Sequence, residues 1–297
     1  MDIQTFVHPY LQIYTKCFLI RTAHYNVWID TGLRGGWDGP QTACLMDGRE
    51  NVALLTHGHW DHIGMHKTLQ DMGARVLANI GDRPYYEDHD WHWTELFGQF
   101  AGDFDLPAAR RETYLARVGS PMVPEYGLQD GEIVRHGGMS FEVIAIPGHS
   151  LGSVCFLERE SGALFTGDGL IGRGFFTGTP QYMNVPKYLS SMEKLKKVDC
   201  ERVYSDHNPP MAGNLLAYKA QEGIDCCLRI DAVVRRYVRE HEDQQDLALG
   251  EIIQEIQKEE QRGVGAGTLV TALAHLETIE NPPACVTHCL SRYIHGI

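Results

Sequence analysis

A short run of histidine and aspartate residues in the first quarter of the chain constrains its possible folds more than any other feature. Within the run Thr56-His57-Gly58-His59-Trp60-Asp61-His62, four side chains can bind a metal ion: His57, His59, Asp61 and His62. Simple packing does not require three imidazoles and a carboxylate side by side, so we interpret the run as part of a metal site. Residues two apart point the same way in an extended segment, so His57 and His59 can reach one ion. Asp61 lies where a helix N-cap would fall, which predicts that it fixes the turn that follows.

Three further donors, His149, Asp168 and His207, each follow an apolar segment that we predict to be a strand. Asp168 lies between two glycines, and a carboxylate with two oxygens can bridge two cations about 3.5–4 Å apart. A hydrolytic metal site needs such donors around a vacant position. We therefore predict one pocket that holds two divalent metal ions. Zn²⁺ is the first expectation, with iron or manganese as alternatives, because sites built from His and Asp accept all three.

Strand-like and helix-like segments alternate along the first two thirds of the chain. A helix is predicted after His62 and another over residues 186–197, and the pattern becomes helical from about residue 215, with one apolar stripe formed by Ile224, Leu228, Val234 and Val238. These features predict an α/β sandwich with a helical C-terminal extension. We place the catalytic domain at residues 1–212, with an aromatic-rich insertion at 79–129, and the extension at 213–297. The predicted strands cover residues 18–20, 25–29, 52–55, 75–78, 141–146, 154–157, 163–165 and 203–204.

Composition narrows the partners that we expect. The chain has 297 residues and a formal net charge of -13, which disfavours nucleic-acid binding because an acidic surface repels phosphate. No stretch approaches the roughly 20 apolar residues of a membrane helix, and the N-terminus lacks the pattern of a secretory signal. The eight cysteines are then expected to be reduced thiols of a cytoplasmic protein. We expect a small-molecule substrate and no membrane partner. The helical extension could cover the site or form the interface of a homodimer.

The order of the donors resembles that of the metallo-β-lactamase superfamily over roughly residues 15–210. The run His57-x-His59-x-Asp61-His62 is followed by His149, Asp168 and His207, and Asp30-Thr31-Gly32 is similar to a turn that these proteins place near the site. The resemblance implies a four-layer αβ/βα sandwich with the metals at one edge of the paired sheets. It also implies a first metal on His57, His59 and His149, a second on Asp61, His62 and His207, and Asp168 as the bridge. The absence of a cysteine ligand resembles the glyoxalase II, thioesterase, lactonase and nuclease branches.

The function predicted from these features is a dinuclear metal-dependent hydrolase of a small-molecule ester, thioester or lactone. Two cations lower the pKa of a bridging water to about 7, which would provide a metal-bridging hydroxide, and Asp61 would act as the catalytic residue that orients it or accepts its proton. The aromatic candidates for substrate binding are Tyr85, Trp91, Trp93 and Phe176, although the rings of the insertion could simply anchor it to the core.

Two other functions remain open at this level. One is a mononuclear-iron persulfide dioxygenase, in which only the positions matching His57, His149 and Asp168 would hold the metal. The other is a regulatory effector with a metal site that acts through a protein partner. Metal content and oxygen consumption distinguish the dioxygenase from a hydrolase. Binding of a protein partner that depends on the surface of the helical extension distinguishes the regulatory effector.

Overall fold

The computed structural model describes residues 2–10, 13–35, 37, 43–44, 47–96, 111–170, 179–261 and 266–293. Among these residues, no helix is both long enough and apolar enough to cross a membrane.

The first half of the chain forms a five-stranded mixed sheet. Its strands lie in sequence order, with β1 to β3 antiparallel and β3 to β5 parallel. Because side chains alternate between the two faces of a strand, Phe18 and Ile20 face one way and Leu19 the other. The strands are β1 (Ile3–Tyr10), β2 (Ile13–Arg21), β3 (Tyr25–Ile29), β4 (Glu50–Leu54) and β5 (Arg75–Leu77).

A second sheet of six strands follows, in the order β11-β10-β9-β8-β7-β6. Its neighbours are antiparallel except β9 and β10, which are parallel, so β7, β9 and β10 all run in one direction. The strands are β6 (Ile133–His136), β7 (Met139–Ala145), β8 (Val154–Glu158), β9 (Ala163–Phe165), β10 (Arg202–Tyr204) and β11 (Met211–Ala212).

Helices cover the outer faces of both sheets. Those on the first sheet are α1 (His66–Asp71), α2 (Arg83–Glu87), α3 (His89–Leu96) and α4 (Arg111–Val118). Those on the second sheet are α5 (Val185–Leu195) and the N-terminal half of α6 (Leu216–Glu240). The chain continues into α7 (Leu249–Glu260), α8 (Ala266–Leu276) and α9 (Ala284–Tyr293).

Apolar side chains fill the space between each pair of layers. Phe18 and Ile29 of the first sheet meet Phe141 and Phe165 of the second, and the rings of Phe18 and Phe165 are 5.4 Å apart. On the other face of the first sheet, Leu19 belongs to a cluster shared with the helices. Two sheets packed face to face with helices outside both form the four-layer αβ/βα sandwich that was predicted, with the helical extension after it.

Helix α6 takes part in two cores. Ile224, in its first half, packs in the cluster that contains α5 and the second sheet, whereas Val234 and Val238 pack with α7, α8 and α9. The predicted apolar stripe was wrong at Leu228, which is 54% exposed, because the buried face passes through Cys227 instead. The domain boundary at residue 213 and the homodimer stay predictions.

The turn after the histidine run differs from the prediction that Asp61 caps a helix. Helix α1 begins only at His66, with Met65 at its N-cap position and no side-chain cap. The backbone between Asp61 and His66 makes tertiary hydrogen bonds instead, since the Thr31 N–H donates to the His62 carbonyl. The Gly64 N–H likewise donates to the Gly32 carbonyl, so no helix begins at Asp61 for this residue to cap.

Candidate metal centre

The predicted donors converge at one edge of the sandwich because each follows the carboxyl end of a strand. The run from His57 to His62 comes directly after β4, and His149, Asp168 and His207 follow β7, β9 and β10. The last three strands point the same way, so their ends meet. The edge of the first sheet is joined to them where the Val154 N–H donates to the Thr56 carbonyl at 2.8 Å.

Three imidazoles form the first group of donors. One ligand atom from each of His57, His59 and His149 lies within 4.8 Å of the others, and all three rings are buried. The Nε2 atoms of His57 and His149 are 3.2 Å apart. This arrangement can hold one ion with three nitrogen ligands.

A second group contains Asp61, His62 and His207, again with ligand atoms within 4.8 Å of one another. The Asp61 Oδ2 atom is 3.5 Å from His62 Nε2 and 3.4 Å from His207 Nε2. One carboxylate oxygen and two imidazole nitrogens can hold a second ion.

Asp168 lies next to both groups. Its Oδ2 atom is 3.7 Å from His149 Nε2 in the first group. In the second group, the same atom is 3.4 Å from His62 Nε2 and 3.0 Å from His207 Nε2. No other carboxylate of the predicted set contacts members of both groups in the part of the chain described, so the position suits a bridging ligand.

Backbone carbonyls orient two of the rings. The Nδ1–H of His149 donates to the Gln181 carbonyl at 2.7 Å, and that of His207 donates to the Tyr14 carbonyl at 2.6 Å. A carbonyl can only accept, so each Nδ1 carries a proton and each Nε2 faces the centre, where it can bind an ion once it is free of a proton.

Buried carboxylates orient His62. Its Nδ1 atom is 2.9 Å from Asp206 Oδ2 and 3.2 Å from Asp30 Oδ2. Asp30 also completes a third possible donor group with His57 and His62. However, both of its oxygens already accept hydrogen bonds, from the backbone N–H and the hydroxyl of Thr56 at 2.7 and 2.6 Å. Asp30 therefore orients His62 rather than binding an ion.

The two groups differ in their protonation when no ion is bound. Burial and the neighbouring His62 ring lower the pKa of His57 well below its ordinary value, and burial and His149 do the same for His59. Burial also opposes charge on His207, but the Asp168 and Asp61 carboxylates together outweigh it and raise the pKa to about 10. Metal binding to the second group must therefore displace protons.

The residues present fit a metal pair. Among the described residues, His59 Nε2 and Asp168 Oδ1 are buried polar atoms with no hydrogen-bond partner. An unsatisfied buried nitrogen and oxygen that face one pocket are costly unless a further group pairs with them. Five imidazoles and two carboxylates supply the donor types that Zn²⁺, Fe and Mn accept.

Asp82 is a functional candidate that the sequence analysis missed. It lies in a 3-10 helix (Ile80–Asp82) and is fully buried. Its Oδ2 atom accepts from the Gly58 N–H at 2.9 Å and from the Ser150 hydroxyl at 2.6 Å, and its Oδ1 accepts from the Gly152 N–H at 2.7 Å. The carboxylate thus ties the loop of His57 and His59 to the loop of His149. No sequence pattern marks it.

Lys16 was also missed. It is a buried residue of β2 whose ammonium group donates to the Ser205 carbonyl at 3.0 Å and to the Asn208 carbonyl. Both carbonyls belong to the loop that carries His207, so Lys16 fixes that loop to the first sheet.

The aromatic candidates for substrate contact occupy different environments. Tyr85 is buried beside His59, with ring centroids 5.4 Å apart, and its hydroxyl donates to Met183 Sδ at 3.3 Å. Trp91 packs on Tyr85 at 5.0 Å and remains 38% exposed. Trp93 is half-buried against the first helical layer. Phe176 lies outside the described residues. Their roles in substrate binding stay predictions.

Residues 12–207 match the family model of the metallo-beta-lactamase superfamily. Since the match covers well over half of the chain, the protein belongs to the metallo-beta-lactamase superfamily, which confirms the resemblance seen in the sequence.

Two relatives are each about 30% identical to this chain over part of its length. Over 125 residues the chain is 31% identical to a hydroxyacylglutathione hydrolase of Haemophilus influenzae, which covers 41% of this chain and 51% of that protein. Over 195 residues it is 30% identical to an acyl-coenzyme A thioesterase of Gallus gallus, which covers 61% of this chain and 66% of the relative. The chain thus spans about half to two thirds of the length of these relatives.

The fold has a counterpart among solved structures. A metallo-beta-lactamase family protein from Thermus thermophilus superposes with a TM-score of 0.70 at 22% identity. The superposition covers 93% of this chain and 92% of that protein, so the similarity includes the helical extension.

Proposed function

We propose that this chain is a dinuclear metal-dependent hydrolase of a small-molecule thioester, ester or lactone. The observation that carries the proposal is the pair of three-donor groups with Asp168 in contact with both. Such a site serves hydrolysis because it can bind the attacking water and stabilise the charge that develops on the substrate. Among the bond types we favour the thioester, because a relative that matches over 195 residues is named as an acyl-coenzyme A thioesterase.

In this proposal His57, His59 and His149 hold one ion, Asp61, His62 and His207 hold the other, and Asp168 contacts both. When bound, the two ions would lower the pKa of a water molecule to about 7 and stabilise negative charge on the substrate oxygen. Zn²⁺ is the first expectation for both positions, with iron or manganese as alternatives.

Asp61 is the residue that we assign to proton transfer. Its carboxylate lies between His62 and His207. With no ion bound, burial opposes its ionisation, but the charged rings of His62 and His207, which also donate hydrogen bonds to it, keep its pKa well below the ordinary value. An ionised carboxylate at this position can orient the attacking water through Oδ and accept its proton.

Side chains of other nucleophile types near the site are already engaged. The Ser150 hydroxyl donates to Asp82 and is 2.7 Å from the Ser153 hydroxyl, and both serines are buried. Cys155 is fully buried in the second sheet, and burial raises the pKa of its thiol. Water activated at the metal centre is therefore the nucleophile that this arrangement favours.

Trp91 is the described aromatic residue best placed to contact an apolar part of the substrate. Tyr85 packs between it and His59, so Trp91 lies one ring removed from the first donor group and is partly open to solvent. A planar apolar surface at this distance suits an acyl chain or an aromatic acyl group.

The test is metal analysis of protein purified without added metal, followed by assays with thioester, ester, lactone and phosphodiester substrates. The proposal expects close to two ions per chain, hydrolysis of a thioester, and loss of this activity after chelation with recovery on adding Zn²⁺. One iron per chain with oxygen uptake on a glutathione persulfide would instead support a dioxygenase. Full activity in the chelated protein would refute the metal mechanism.

A further inference from the structure

Residues 180–183 form a segment that contacts the metal centre on one side and the C-terminal helices on the other. We propose that the C-terminal extension helps to position a ligand of the metal centre. Its residues Thr271 and His275 hold this segment, and the segment in turn orients the metal ligand His149. The inference rests on the proposed function only in taking His149 as a metal ligand.

On the side of the metal centre, the segment fixes the turn that carries His149. The Gln181 carbonyl accepts the hydrogen bond from His149 Nδ1–H at 2.7 Å. Two residues further on, the Met183 N–H donates to the Gly148 carbonyl at 2.8 Å. The direction of the Gln181 carbonyl therefore sets the rotation of the imidazole and the direction of its Nε2 lone pair.

On the side of the extension, one hydroxyl of α8 holds the backbone on both sides of Gln181. Thr271 Oγ1 donates to the Pro180 carbonyl at 2.8 Å and accepts from the Tyr182 N–H at 3.3 Å. Thr271 is completely buried, so water cannot replace it as the partner of these groups. The two peptide units that flank Gln181 are thus held by a single side chain.

A second contact follows from the Tyr182 side chain. Its hydroxyl donates to His275 Nε2 at 2.8 Å, and His275 Nδ1–H donates to Asp231 Oδ1 at 3.2 Å. The acceptor role of Asp231 fixes the imidazole in the tautomer that accepts from tyrosine. Tyr182 and His275 are 0% exposed, so this Tyr–His–Asp row cannot meet a substrate and acts by holding the segment.

Close packing supports the same conclusion. A Cβ atom at Gly267, in the first turn of α8, would lie 2.9 Å from the Cβ of Gln181. Helix α8 therefore approaches the residue whose carbonyl orients His149 more closely than a larger side chain would permit.

The test compares conservative variants of Thr271 by their affinity for metal. Measurements are made in a His207→Ala background, which removes a donor from the second group, by competition with a chromophoric chelator for Zn²⁺. Thr271→Val keeps the shape but removes both hydrogen bonds, and we expect the affinity for Zn²⁺ to fall about tenfold. Thr271→Ser retains the hydroxyl and should keep the affinity of the parent.

Two controls separate positioning from general stability. Thr287→Val is the same substitution on α9, where the Thr287 hydroxyl donates to the Pro283 carbonyl at 3.5 Å on an exposed surface. Ile256→Val removes a methylene from the core of the extension and leaves the hydrogen bonds of the segment with Thr271 in place. Both should retain the affinity of the parent for Zn²⁺, even where the unfolding temperature falls as much as in Thr271→Val.

The outcomes are distinct. Unchanged affinity in Thr271→Val, or an equal loss in Ile256→Val, would overturn the proposal, and so would a parent that binds no Zn²⁺. If the His207→Ala parent binds metal and Thr271→Val weakens that binding, yet the protein without substitutions hydrolyses no substrate, then the positioning role stands and the proposed hydrolase function fails.

Discussion

Asp168 is the residue whose replacement bears most directly on the chemistry of the site. Its Oδ2 atom is within 3.7 Å of ring nitrogens in both donor groups. Asp168→Asn keeps the size but removes the negative charge, so the second ion loses a shared ligand. We expect thioester hydrolysis to fall about 1000-fold in kcat/KM and the metal content to drop below two per chain. Asp71→Asn, on the exposed face of α1, is the matched control, and a fully active Asp168→Asn enzyme would contradict the assignment.

Replacement of Asp82 should lower the stability of the fold, because its carboxylate accepts hydrogen bonds from backbone N–H groups and is not a proposed metal ligand. Asp82→Ala leaves the Gly58 and Gly152 N–H groups and the Ser150 hydroxyl without their acceptor. Buried donors without partners are costly, so we expect the free energy of unfolding to fall by about 3 kcal/mol, as measured by urea denaturation of the metal-free protein. Asp225→Ala, at an exposed position of α6, should change it by less than about 0.5 kcal/mol. Equal effects of the two substitutions would disprove the role of Asp82.

At the scale of elements, the turn between β7 and β8 has to pass close to helix α5. Gly148 has φ +143°, and a Cβ there would lie 2.5 Å from the Tyr188 Cα atom. Gly148→Ala must therefore push the His149 turn away from the helix, which should lower both the unfolding temperature and the affinity for Zn²⁺. Gly138→Ala is a control with φ +85° and no atom within 4 Å, so it carries the backbone strain alone. If both variants bind Zn²⁺ equally, the close approach does not shape the site.

The sequence predicted the positions of the metal donors better than the positions of the residues that hold the donor loops in place. His149 and His207 could be placed because each follows an apolar strand, and the ends of parallel strands meet at one edge. Asp82 and Thr271 could not be placed, because their partners lie 24 to 91 residues away along the chain and neither belongs to a local pattern. The predicted cap at Asp61 failed for a related reason, since tertiary hydrogen bonds from Thr31 displaced the local preference.

For the whole molecule, buried histidines predict loss of stability in acid. Burial and the nearby His89 ring lower the pKa of His66 to about 3, and burial lowers that of His89 to about 4. In the unfolded chain both titrate near 6.5, so below that pH the unfolded state binds protons that the folded state does not. The contribution of these two residues to stability is thus complete above about pH 6.5 and declines as the pH falls toward 3.

This decline is measured by urea unfolding of the metal-free protein between pH 7 and pH 4. His66→Leu should show a shallower decline than the parent because one proton-binding difference is removed. His24→Leu, at an exposed position between β2 and β3, should follow the parent. If the free energy of unfolding falls with pH equally steeply in His66→Leu and in the parent, then His66 does not contribute to the loss of stability in acid.

Anomalous X-ray scattering from a crystal grown with Zn²⁺ would show whether the whole site holds a metal pair. We expect two anomalous peaks per chain, one among His57, His59 and His149 and one among Asp61, His62 and His207, with Asp168 in contact with both. A single peak, or zinc bound elsewhere with these seven side chains unoccupied, would contradict this expectation.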